Sequence, residues 1–313
     1  MSEQTAYRVL GWDVGGTKSA AVLGDSGGRI LGRREWPSDV ARKGWRGMMD
    51  DFLAAAGELV ARHGQAELVG VSIGGPMNAR KGIILSPPHL PGWDEVPLVE
   101  LLGRELGLEV VVEHDAAACL LAEWLWGAAQ GTTHAVYLTC GTGCGAGVMI
   151  DGRVLYGPAG QSPEVGHVRL APDGPEMFGK RGCVESFCGG RGISKLANHL
   201  FPGVFGEPVP TRRLAELAAG GDQAARAVLE ESARRTGQVC GMLADLLSPE
   251  VIVLGSMARY FEPWWLEGVR AAFADEALEL NGGQTQIVPA ALGEQLQDLS
   301  AIAPCVYRRL ADG

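Results

Sequence analysis

The sequence predicts an α/β protein of two lobes, each built on a β-meander followed by helix. Three observations predict it. The chain has 313 residues, too long for one simple core. Two glycine-rich turns, "DVGGTK" at 13–18 and "CGTGCGAG" at 140–147, each lie between apolar, β-rich stretches. About a dozen residues beyond each turn stands a near-identical tetrapeptide, "GRIL" at 28–31 and "GRVL" at 152–155. We read these as a weak internal duplication of one β-meander-plus-helix unit.

The elements follow in order. Tyr7–Trp12 is apolar and β-rich, "KSAAVLGD" alternates as a second strand, and "GGRILGRREW" supplies a third. Residues 41–63 carry apolar side chains at helical spacing. "ELVGVSIGG" is a strand ending in glycines, then a helix spans 95–106. "LEVVVEH" is a strand, and "DAAACLLAEWLWGAA" reads as a buried helix. The second half repeats the start: strand "HAVYLTC", a glycine turn, and the strand pair "GVMIDGRVLYG". Helices fill about 189–247, "PEVIVLGS" is a late strand, and helices cover 261–278 and about 298–310. No linker or low-complexity segment interrupts the chain, so the lobes are expected to pack closely.

Composition narrows the function. The chain is 46% hydrophobic and 20% charged, as in ordinary globular proteins. Its 46 glycines follow no collagen-like period and point to tight turns and close backbone approaches to a ligand. A net charge of −10 without a basic patch argues against nucleic acid as a partner. No run of about 18 apolar residues exists, so no membrane span is expected. The first residues lack a cationic start followed by an apolar stretch, so a cytoplasmic protein is expected. The seven cysteines, an odd count, are expected to be free thiols in a reducing compartment.

The glycine turns hold the first chemistry. "GWDVGGTKS" departs from a P-loop because Thr17 separates Gly16 from Lys18 and a strand follows. "GTGCGAG" lacks the dinucleotide-fold glycine spacing. What remains is two turns at hairpin tips, where glycine lets backbone N–H groups point at an anion. Thr17, Thr139 and Thr142 add hydroxyls, and Lys18 adds charge unless it is merely solvated. Asp13 would repel phosphate unless Mg²⁺ stands between them. Two flexible hairpin tips are the plainer alternative for either turn alone; their equivalent placement favours phosphate.

Asp115 stands where strand meets helix in "VEHDAAACLLAE". It is either a helix N-cap or a carboxylate at a strand's C-terminal edge that accepts a hydroxyl proton. The segment "EVGHVRLAPDGPEMFGKRGCVESFC", 164–188, poses a second choice. Cys183 and Cys188 with His167 would need Glu176 or Glu185 as a fourth zinc ligand, a poor tetrahedral set. Glutamates with a histidine suit a polyol better, because carboxylates accept hydroxyl protons and imidazole both accepts and donates.

Taken in order, "DVGGTK", "SPPHLPGW", "EHDAAACLLAE", "TCGTGCGAGVMIDGRVLYG", "EVGH", "GCVE" and "PEVIVLG" span nearly the whole chain. This set resembles the ROK family (repressors, unidentified reading frames and sugar kinases) of the actin-like ATPase superfamily. The resemblance implies a ribonuclease H-like fold of two lobes around an interlobe cleft. The expected small lobe is 1–114 plus 298–313, and the large lobe is 115–297. ATP is expected against Gly15, Gly16, Thr17 and Lys18, against Thr139, Gly141, Thr142 and Gly143, and at Gly255 and Ser256. By resemblance Asp13 helps hold Mg²⁺, directly or through water. Asp115 is the base for a hexose 6-hydroxyl, and Glu164, His167 and Glu185 clamp hydroxyls of the same sugar.

Departures from the family pattern matter. Its zinc cysteines are replaced here by Glu176 and Phe178, so no zinc is expected; a small apolar cluster around Phe178 would then order the loop. His114 and His89 stand where the family usually carries asparagine facing the sugar, and "GGP" at 74–76 replaces Pro-Gly-Pro. Family repressors carry a DNA-binding helix-turn-helix before the part corresponding to Asp13; about a dozen residues precede Asp13 here, so none is expected. The implied activity is an ATP-dependent hexose kinase acting, as a homodimer, on glucose or a related hexose, N-acetylated or not. The alternative is a non-catalytic sugar-binding or regulatory member of the same fold.

Overall fold

A computed structural model describes residues 6–206, 208–261 and 263–312. The chain divides into two compact units. The first comprises the described parts of Met1–Gln130, Leu155–Ser162 and Leu292–Gly313. The second comprises those of Gly131–Val154 and Pro163–Ala291.

In the first unit, β1 (Arg8–Val14), β2 (Lys18–Asp25) and β3 (Ile30–Pro37) form an antiparallel meander. Helix α1 (Val40–His63) follows and returns the chain to β4 (Leu68–Ile73). Helix α2 (Leu98–Leu106) leads to β5 (Glu109–His114), and α3 (Asp115–Trp126) continues directly from that strand. The sheet order is β3-β2-β1-β4-β5, with β1, β4 and β5 parallel.

The second unit repeats this plan. Its meander is β6 (Ala135–Leu138), β7 (Ala146–Ile150) and β8 (Arg153–Val154). Helices α4 (Val184–Cys188), α5 (Gly190–Leu200), α6 (Thr211–Ala219) and α7 (Gln223–Leu247) come next. Then come β9 (Val251–Leu254), α8 (Pro263–Glu276) and β10 (Gln286–Pro289). The order β8-β7-β6-β9-β10, with β6, β9 and β10 parallel, matches the first sheet strand for strand. The "GRIL" and "GRVL" tetrapeptides open the third strand of each meander, so the duplication read in the sequence is present in both sheets.

The last helix, α9 (Leu296–Asp312), belongs to the first unit and packs on β4 and α3. It lies close because Gly70 has no side chain: a Cβ there would stand 2.1 Å from the Ala301 carbonyl oxygen. The lobe boundary expected at 114/115 instead falls at Gln130, because α3 is buried against α9 of the first unit. Each unit has its own apolar core. In the first, Trp12 stacks on Phe52 with centroids 4.7 Å apart and also meets Trp93. Burying Trp93 fixes the "SPPHLPGW" loop beside β1, one residue before Asp13. Among the described residues no helix is long and apolar enough to cross a membrane.

Candidate active site

Parallel strands end together, so whatever follows them is gathered along one sheet edge. In the first unit Val14, Ile73 and His114 are paired neighbours across β1, β4 and β5. This register sets Asp13, Gly74 and Asp115 at the same edge. Asp13 is partly buried. Burial, then the charges of Asp115 and Asp298, push it up to about 7. Asp298, in the first turn of α9, is buried and takes a 2.8 Å hydrogen bond from the Arg33 Nε. It is a third carboxylate at this edge that sequence reasoning missed; its only signal was an acidic residue opening a helix.

Asp115 is the first residue of α3, whose N-cap is His114, so the N-cap alternative does not hold as stated. One oxygen, Oδ1, accepts a 2.7 Å hydrogen bond from the Ala116 N–H. The side chain is 49% exposed, and among the described residues Oδ2 takes part in no hydrogen bond. Two imidazoles flank it. His114 Nδ1 lies 3.3 Å from Asp115 Oδ1, buried and without a hydrogen bond. The His89 ring lies over Gly74, where a Cβ would stand 2.5 Å from its Cε1 and 3.5 Å from Asp115 Oδ2. A Cβ on Gly75 would stand 2.9 Å from the His114 ring. The Gly74-Gly75 pair thus makes the space that both rings fill.

The first glycine turn rests on the same loop. A Cβ on Gly16 would stand 2.7 Å from the His89 carbonyl oxygen. The Ser38 hydroxyl donates to the Gly15 carbonyl at 2.5 Å, and the Ser38 N–H donates to Thr17 O, which shapes the turn. Among the described residues the amides of Gly16 and Thr17 donate to no backbone acceptor, leaving them available to an anion. Lys18 differs: its ammonium is committed to Glu35 at 2.8 Å on the exposed face of the meander. As it stands, that lysine is not aimed at the turn.

The second unit builds an equivalent edge. Leu138 pairs with Leu254, so Thr139 and Gly255 emerge side by side. The Thr139 hydroxyl accepts from the Gly145 N–H at 2.8 Å, and Gly141 N–H donates to Gly143 O, closing the turn. Ser256 Oγ lies 3.8 Å from where a Gly141 Cβ would stand. The amides of Thr142 and Gly143 donate to no backbone acceptor among the described residues.

Glu164, His167 and Glu185 come together beside this turn. Glu185, on the short helix α4, is buried and accepts a 3.3 Å hydrogen bond from the Cys144 N–H. Burial raises its carboxyl; the Cys144 amide and His167 act against that shift, and Glu164 acts with it. Gly166, between Glu164 and His167, packs so tightly that a Cβ would stand 2.0 Å from the Cys144 carbonyl oxygen. Glu164 and His167 are themselves exposed, and the His167 ring stacks on Phe178 with centroids 4.8 Å apart. Phe178 is 52% exposed and sits in no apolar cluster, contrary to expectation; it acts as a lid on the imidazole instead. Cys183 pairs with Ser186, and Cys188 takes the Thr236 hydroxyl. Among the described residues no three His, Cys, Asp or Glu side chains gather in a way that could hold a metal ion.

Sequence reasoning did not single out Glu113 and Tyr156. Glu113 is buried at the end of β5 and joins the Tyr156 hydroxyl to the His114 amide. The two acidic and aromatic partners lie 43 residues apart in sequence, so no local pattern pointed to them.

Known proteins share this plan. The N-acetylmannosamine kinase of Shigella flexneri is 31% identical over 249 residues, 79% of this chain and 82% of the relative. The ROK hexokinase of Thermus thermophilus matches with 33% identity and a TM-score of 0.84, covering 98% of this chain and 100% of that one. The ROK family glucokinase of Streptomyces griseus, solved with glucose and AMPPNP, matches with 28% identity and a TM-score of 0.78, covering 94% and 98%. The model of the ROK family matches residues 9–301, so the chain belongs to the ROK family, with the actin-like ATPase fold of its sugar kinases.

Proposed function

We propose that this chain is an ATP-dependent hexose kinase. The reading rests above all on Asp115: one oxygen held by the helix N-terminus, the other unengaged and flanked by two imidazoles. Asp115 Oδ2 takes the proton of the sugar's 6-hydroxyl as that oxygen attacks the γ-phosphorus in line. Oδ1, fixed by the Ala116 amide, keeps the carboxylate from turning away. In each unit the turn offers donors to phosphate oxygens: the amides of Gly16 and Thr17 in the first, and those of Thr142 and Gly143 with the Thr139, Thr142 and Ser256 hydroxyls in the second. Glu164, His167 and Glu185 accept and donate to ring hydroxyls, and His89 and His114 read the hydroxyls nearest the base.

Asp13 fits a divalent cation. Its carboxyl is destabilised as an anion by burial and by two other carboxylates, a cost that a cation relieves. In this reading Asp13 would hold the ion, directly or through water. Mg²⁺ bound there would supply charge neutralisation to the phosphates. Zinc has no part in this reading. The family resemblance adds a homodimer acting in the cytoplasm.

The test is ADP release over glucose, mannose and their N-acetylated 2-amino relatives, with Asp115→Asn beside the parent. We expect kcat to fall about 10³-fold in D115N while hexose binding, measured by calorimetry, is retained. Near-normal turnover in D115N would refute the base assignment. Sugar binding without turnover of any hexose by the parent would instead favour the non-catalytic, regulatory reading, which the two histidine replacements motivate.

A further inference from the structure

We propose that Tyr156 and Glu113 act as one positioning pair that sets the strand-to-helix junction carrying His114 and Asp115. The inference rests on the kinase reading above and names residues that reading does not use.

The geometry is a relay of two hydrogen bonds through one buried carboxylate. The Tyr156 hydroxyl donates to Glu113 Oε2, and the His114 backbone N–H donates to Glu113 Oε1 at 2.8 Å. Glu113 is only 5% exposed, so neither bond is exchanged for water at low cost. The peptide held by Oε1 joins Glu113 to His114, one residue before the peptide that leads into Asp115. Its rotation would move both the His114 ring and the start of α3. A shift of about 1 Å at such a point can lower a rate by about 10²-fold.

Packing alone does not fix the pair. Both residues border a cavity of about 370 Å³, together with Val111, Leu121 and Tyr307. The Tyr156 ring therefore has open space on one side, and its hydroxyl bond is what holds it. Burial pushes Glu113 up to about 7, against the lowering effect of Tyr156, the His114 amide and the His114 charge. Burial also raises the Tyr156 hydroxyl, keeping it a donor. Tyr156 itself comes from Leu155–Ser162, a strap that packs with the first unit although the chain on either side of it belongs to the second. The Ala79 N–H bonds Gly160 O at 3.1 Å, and Arg80 Nη1 bonds Pro158 O at 3.3 Å. Those two bonds anchor the strap whose tyrosine reaches the catalytic junction.

The experiment compares Y156F, E113Q and the double variant with the parent. It uses kcat, KM for hexose and for ATP, thermal melting, and the NMR shift of the His114 amide proton. We expect each single variant to lower kcat by about ten- to a hundredfold. KM for ATP stays unchanged, the His114 amide moves upfield, and the double variant loses no more than the worse single one. Additive losses in the double variant would show two separate roles and overturn the pair. Unchanged kcat per folded molecule, with or without a lower melting temperature, would overturn the positioning role. A lower kcat with an unmoved His114 amide would also overturn it. Should the parent turn over no hexose, the kinase reading fails by itself. The amide shift in Y156F then decides whether the pair sets the junction.

Discussion

At the scale of single residues, Gly74 shows why the local sequence departs from its family. The His89 imidazole occupies the place a side chain at 74 would need, with Cε1 only 2.5 Å from a Cβ built there. The colliding atoms belong to a side chain and not to backbone, so rotation of the ring can relieve the clash. We therefore expect Gly74→Ala to displace His89 from Asp115. KM for hexose should rise about tenfold and KM for ATP should stay constant, because the glycine turns are untouched. Truncating the ring in Gly74→Ala/His89→Ala removes the collision, so the double variant should behave as His89→Ala alone. A KM for ATP that rises in step with that for hexose would show that the two imidazoles do not act on the sugar side.

At the scale of elements, the meanders were the most legible part of the sequence. "KSAAVLGD" and "GRIL" or "GRVL" mark strands by alternation and by glycine turns, signals confined to a few neighbours. β10 was missed because "QIVP" offers two apolar residues and no alternation; its place is set by pairing with β9. The hairpin Met77–Asn78 with Ile83–Ile84 was missed for the same reason. The short turn Val165–His167 shows what such elements do for the site. It seats Glu164 and His167 against the second glycine turn because Gly166 touches the Cys144 carbonyl. Backbone cannot yield as a side chain can. Gly166→Ala should destabilise the protein by about 1–3 kcal/mol and weaken hexose binding. Thermal melting and calorimetry would check it; a variant with parental values for both would show that the turn tolerates separation from Cys144.

At the scale of the whole molecule, the proposed site residues were legible as types and their environments were not. The positions of Asp13, Asp115 and Glu185 follow from motifs, whereas Asp298, Glu113 and Tyr156 reach them only through folding. That hidden part governs how the molecule responds to pH. Burial pushes Asp13 and Glu113 up to about 7, and it raises Glu185 as well. Their folded-state values lie above the unfolded ones. The stability they confer is therefore complete below about pH 4 and is lost as pH rises through 7. Asp13 and Glu113 each account for on the order of 3 kcal/mol over that window. The net charge of −10 acts in the same direction, since acidification relieves its self-repulsion. Opposing groups lie elsewhere: Glu35 is held down to about 2 by Lys18 and Arg33, so it loses its partners only in strong acid. The ligand-free protein should thus melt about 5 °C higher at pH 5.5 than at pH 8. Mg²⁺ with ATP should flatten that trend by pairing the Asp13 carboxylate. E113Q should flatten it independently, by removing one of the titrating groups. A melting temperature that climbs steadily from pH 5.5 to 8 in the ligand-free protein would mean that these carboxyls are ionised without penalty, and that the carboxylate edge of the first unit is open to water.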